Sequence, residues 1–147
     1  MRRRRGMTIV EVLVAALIVG IVAAGAVATW SIASRAAASK RAVEIGTAIA
    51  VSEIERVKAL RYNYVPASPL QGGVPVPTIR WYDRYGNWLG AAATTGDFRA
   101  ELTVRILINR DSQTNREDLK EVVVEVWDGA RSRRYETART LLSFGGI

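Results

Sequence analysis

MRRRRGMTIVEVLVAALIVGIVAAGAVATWSIAS, residues 1–34, is the stretch on which the reading of the whole chain turns. Four arginines at positions 2–5 lead into an apolar run, and no side chain between positions 12 and 34 is charged. The apolar run, residues 7–34, is long enough at about 1.5 Å per residue to cross a ~30 Å hydrocarbon core. It also exceeds the apolar region of an ordinary secretory signal, roughly 7–15 residues. By the positive-inside rule the arginines keep the N-terminus cytoplasmic. The expectation is a single-pass anchor with the remaining chain on the far side of the membrane.

Glu11 breaks the pattern of this run. A carboxylate costs about 2.5–3.5 kcal/mol at the centre of a spanning helix and less near the interface, so it marks a functional position. A cut between Gly6 and Met7 would leave an ammonium on Met7 and make Glu11 the fifth residue. Both would lie in the first turns of a helix whose dipole favours negative charge there. Between neighbouring helices, Glu11 of one chain would then neutralise the Met7 amino group of the next. That pairing sets a register where unpaired charge is expensive.

Arginines at 2–5, Gly6 closing the leader, Met7 after it and Glu11 five residues into the processed chain resemble the prepilin (class III) signal of type IV pilins and type II secretion pseudopilins. The resemblance implies a leader of residues 1–6, removed after Gly6 by a prepilin peptidase that also methylates the Met7 amino group. It implies a bacterial inner-membrane subunit whose head is periplasmic, or extracellular once in a filament. The implied partners are other pilin or pseudopilin subunits, the peptidase, the inner-membrane assembly platform and membrane lipid; no cofactor is implied. Met7 stands where Phe is commonest in the family, and Ala28 lies where many major pilins carry a mid-helix Pro. The disulfide-closed C-terminal loop of many major pilins is impossible here, since the chain has no cysteine. Met7, the missing cysteines and a compact head favour a minor pilin, with a minor type II secretion pseudopilin or a DNA-uptake pilin as neighbouring readings. A reading from another class is a membrane-anchored binding module that does not polymerise. A plain signal anchor would tolerate Glu11 at the interface. Cleavage at Ala26-Val27-Ala28 would instead release a soluble domain starting near Thr29. A twin-arginine reading has nothing around the arginines to support it.

Charge and composition narrow the chemistry. Residues 2–5 supply four of the seven net positive charges, leaving an unremarkable +3 for everything else. The basic balance therefore belongs to the leader and argues little for a nucleic-acid-binding domain. Without cysteine or histidine there is no disulfide framework, thiolate nucleophile or zinc cluster, and the commonest general base is missing.

Beyond the anchor, residues 34–64 keep a helical period. Ala36, Val43, Ala50, Val57 and Tyr64 form a stripe with Ile54 and Leu60 beside it, and Glu44, Glu53, Glu55, Arg56 and Lys58 lie mostly on the polar sides. The spacing predicts one helix over residues 7–64, its first half (7–34) in the membrane and its second (35–64) amphipathic, nearly 90 Å in all. Val65-Pro66 ends it, and residues 65–147 form a β-rich head. Residues 66–78 read as a Pro/Gly loop, 79–82 as a short strand, and 83–87 (DRYGN) as a turn in preference to a calcium loop. Residues 98–108 alternate apolar with polar, as do 121–127, and 133–144 read as a final strand paired across an Asp128-Gly129 turn. The expected fold is α+β and pilin-like: one long N-terminal helix with a small antiparallel sheet on its distal half.

The carboxylates of the head, Asp97, Glu101, Asp111, Glu117, Asp118, Glu121, Glu125, Asp128 and Glu136, fall on polar strand faces or in loops, interleaved with arginines. No phosphate loop or nucleophile motif accompanies them, and no catalytic residue or metal ligand is assigned. Arg131, Arg133, Arg134 and Arg139 cluster around Tyr135 at the last hairpin. They are a candidate surface for a nucleic-acid backbone, against the plainer reading of charges that discourage edge pairing.

Overall fold

The computed structural model describes residues 8–60, 62–108 and 119–143. Its order is α1 (Ile9–Ala59), a 3-10 turn (Tyr62–Tyr64), β1 (Leu70–Gln71), β2 (Val74–Pro75), β3 (Thr78–Tyr82), β4 (Phe98–Ile108), β5 (Leu119–Asp128) and β6 (Arg134–Ser143). This is the expected α+β arrangement, a long apolar N-terminal helix followed by antiparallel sheet. The chain forms two compact units, Met1–Lys40 and Arg41–Ile147, whose boundary falls within α1.

In the first unit α1 begins after Thr8, whose hydroxyl accepts a hydrogen bond from the Glu11 amide at 3.3 Å. Thr8 is thus the N-cap, satisfying one of the helix's orphan amides. No proline interrupts the run, and its hydroxyls bond back to the helix: Thr29 to the Gly25 carbonyl, Ser31 to Ala28, Ser34 to Ser31. Such back-bonding lets polar side chains sit on a lipid-facing helix without an unsatisfied donor. The large apolar side chains of this stretch are exposed, Trp30 at 78%.

In the second unit, β3, β4, β5 and β6 form one antiparallel sheet in chain order. In register, Leu102 lies beside Val124 and Val104 beside Val122, while Val124 lies beside Ala138. Val122, Val124 and Val126 are fully buried with Ile49, Ala50, Ile54 and Val57 of α1 in one core. Each of those valines contributes about 1.5–3 kcal/mol relative to exposure.

The helix departs from expectation at two points. It ends at Ala59, not at residue 64. Approaching Pro66, the chain tightens through bonds from Leu60 N to Val57 O and Val65 N to Tyr62 O, the i to i+3 pattern of 3-10 turns. The buried face comprises Gly46, Ile49, Ala50, Glu53, Ile54 and Val57, whereas Val43, Leu60 and Tyr64 are exposed. A strict seven-residue stripe drifts about 20° per heptad around a straight helix, so the 36–64 stripe leaves the interface at both ends.

The sheet also departs in detail. The Pro/Gly loop contains the β1–β2 hairpin, turned by Gly72 and Gly73 at φ 60° and 82°. Two central residues at positive φ match a type I′ turn, which glycine adopts without strain. The predicted turn at 83–87 is present, with the Asp83 carboxylate accepting from the Tyr85 and Asn87 amides and the Asn87 side chain. These bonds, the Asn87 side chain foremost, hold the Asp83 carboxyl below its ordinary value. The β5–β6 hairpin closes over residues 129–133, its loop tied by the Asp128 carboxylate to Ser132 and Arg133. Ser132 and Arg133 likewise lower the Asp128 carboxyl.

Candidate functional site

Glu11 occupies the third position after the Thr8 cap, in the first turn of α1, with its side chain exposed. Negative charge is favoured at that end of a helix. Among the described residues nothing donates a hydrogen bond or ion pair to its carboxylate. The proposed cleavage pair, Gly6 and Met7, lies outside the described residues, as do the arginines at 2–5. Around Glu11 the helix presents Ile9, Val10, Val12, Leu13, Val14 and Leu17 outward. In a low-dielectric setting a carboxylate among such neighbours would need a cation from elsewhere, because an unpaired charge there is costly.

The four arginines of the last hairpin are exposed, and three of them pair with carboxylates of neighbouring strands. Arg131 Nε lies 3.0 Å from Glu101, Arg134 2.8 Å from Glu125 and Arg139 3.8 Å from Glu121. Arg131 and Arg134 also flank the Trp127 ring, and Arg133 lies over Tyr135. Across the outer sheet face Trp81, Arg99, Trp127 and Arg134 stand in successive register, an alternating ladder over all four strands. Beneath it Glu101 and Glu125 are direct cross-strand neighbours. Like charges so placed repel, and Arg99, Arg131 and Arg134 offset that repulsion.

Two charged residues expected on polar surfaces, Glu53 and Glu101, are buried, and so is Lys120. Glu101 is 3% exposed, covered by the arginines just named. Glu53, 2% exposed, accepts from Arg56 Nε and Nη2 at 3.0 and 2.6 Å and from the Tyr82 hydroxyl, with Arg80 Nε 3.3 Å away. Burial, then the hydrogen bond to Glu53, raises the Tyr82 phenol well above its ordinary value. Lys120, 8% exposed, donates to the Val65 and Tyr62 carbonyls at 2.8 and 3.2 Å, joining β5 to the turn that follows α1. Glu136 also turns toward the helix, where Thr47 donates to it at 3.1 Å. Strand alternation places Lys120 with the core-facing valines, but helical periodicity gave no sign of Glu53, because its partners Arg80 and Tyr82 are distant in sequence. Among the described residues, no group of three or more acidic side chains is arranged to hold a metal ion.

Residues 1–27 match the family model described as the prokaryotic N-terminal methylation motif. Neither curated proteins nor solved structures give a significant match to the chain.

Proposed function

We propose, from the premise that residues 1–27 carry the prepilin-type signal of type IV pilins and pseudopilins, that this chain is a minor structural subunit of a type IV pilus. The motif supports a pilin-like or pseudopilin protein, and in this reading the chain is a structural subunit processed by a peptidase and assembled with other pilin subunits. Cleavage falls between Gly6 and Met7, and the new Met7 amino group is methylated. The subunit waits in the inner membrane with its N-terminus cytoplasmic and enters the filament through α1. Glu11 then meets the Met7 ammonium of a neighbouring subunit, which removes two buried charges at one step and fixes the axial register. The single observation that carries this reading is the motif itself; the exposed Glu11 in the first turn of an apolar helix supports it.

Intact-mass measurement of membrane-extracted protein tests the processing. The expected mass lacks residues 1–6 and includes one methyl group; an intact leader or a start at Thr29 overturns it. Glu11→Ala tests assembly: membrane insertion persists and incorporation into filaments is lost. Unimpaired incorporation would remove the interchain salt bridge from the account.

A further inference from the structure

The sheet edge formed by β3 is open over half its length. At its far end Trp81 O accepts from Leu89 N at 3.0 Å and Tyr82 bridges to Trp88, so residues 88–89 cover it. Backbone groups two residues apart on a strand point the same way. The N–H and C=O of Ile79 therefore face the same outer side as the Trp81 carbonyl, and no described strand pairs with them there. This open stretch borders a groove of about 630 Å³ lined by Leu60, Tyr64, Trp88 and Leu102, with Arg56 and Arg80 in its wall.

The groove carries net positive charge. Arg56 and Arg80 both address the single carboxylate of Glu53, which is buried behind them. The Arg80 guanidinium stacks on Trp88 at 4.1 Å, and its side chain is 18% exposed. Its terminal nitrogens find no acceptor among the described residues. We propose that this groove binds a short extended segment of a partner protein, which pairs with the open β3 edge at Ile79 and sets a carboxylate on Arg80. Main-chain bonds supply affinity in such strand addition and alternate side chains supply selectivity. The residue opposite Arg80 is acidic, and the one opposite Thr78 is apolar, toward Leu102. A second copy of this chain fits poorly. Its free edge, β6, runs for ten residues and far exceeds the open stretch at 78–80.

The test uses the full chain in detergent micelles, isotope-labelled, titrated with acetyl-Glu-Thr-Val-amide. Binding is expected at or below ~1 mM, with shifts centred on the Ile79 amide and the Trp88 indole. The same peptide with Lys in place of Glu binds at least about tenfold more weakly, a difference of about 1.4 kcal/mol. Ile79→Pro abolishes binding by removing the outward donor, a change edge strands accept. A Glu peptide N-methylated along its backbone loses binding to the unaltered protein, so the result stands apart from any folding defect. No shift with the Glu peptide, equal binding of the Lys peptide, undiminished binding of the N-methylated peptide, or tighter binding of a peptide of residues 134–143 would overturn the proposal.

Discussion

Glu53 and Glu55 are two residues apart on α1, yet one is buried and the other exposed. Glu55 leaves nothing behind when truncated. Glu53 holds Arg56, Arg80 and the Tyr82 hydroxyl in place, and its loss strands two guanidinium groups and a phenol at the helix–sheet interface. Removing one partner of a buried ion pair costs about 3–5 kcal/mol, while an exposed substitution stays within about 0.5 kcal/mol. For a domain near 100 residues each kcal/mol moves Tm by about 4–8 °C. Glu53→Ala is therefore expected to lower the melting temperature of the head by more than about 12 °C, followed by near-UV circular dichroism in micelles, with Glu55→Ala unchanged. Equal melting of the two variants would mean that the Glu53 cluster is strong in geometry and negligible in energy.

At the scale of elements, the helix comes into tight contact with the sheet at Gly46. A Cβ built there would stand 2.7 Å from the Tyr135 Cβ. Tyr135 reaches that spot because the β5–β6 register shifts between Val126 and Trp127, leaving it the extra residue of a bulge. Bulges re-aim side chains in this way, and the ring packs on Phe98 at 5.3 Å. Overpacking costs about 1–3 kcal/mol, so Gly46→Val is expected to destabilise the head by that amount in thermal melts. Gly20→Ala, with nothing within 4 Å, should leave the head's melting unchanged. Alternation made β4, β5 and β6 legible in the sequence, because period two and burial of one face are the same fact. The bulge at Tyr135, the ion cluster at Glu53 and the contact at Gly46 were not legible. Each depends on which residues of distant elements come opposite one another, and local spacing carries no record of that. The N-terminal methylation motif was legible for the opposite reason: its arginines, Gly6, Met7 and Glu11 stand close together in the chain.

At the scale of the whole molecule, the proposed membrane-crossing α1 would carry Glu11 and Trp30 at the two ends of its span. They are 19 positions apart on one helix, about 28 Å at 1.5 Å per residue, close to the ~30 Å of a bilayer's hydrocarbon core. A carboxylate held near one interface therefore brings the indole to the other, where tryptophan is favoured. Arg35, Lys40 and Arg41 follow immediately and resist being drawn further in. The other tryptophans, Trp81, Trp88 and Trp127, belong to the second compact unit. In vesicles containing brominated lipid, part of the protein's fluorescence should be quenched, more strongly by bromines near the headgroups than by bromines at the chain ends. Trp30→Phe should abolish the lipid-dependent quenching and leave the remaining emission intact. Strongest quenching from the bilayer centre would place Trp30 deep, pull Glu11 out of the hydrocarbon, and remove the energetic reason for its carboxylate to seek a neighbour's ammonium. Quenching confined to the headgroup region would hold Glu11 at the opposite boundary, ready to pair as the subunit leaves the lipid.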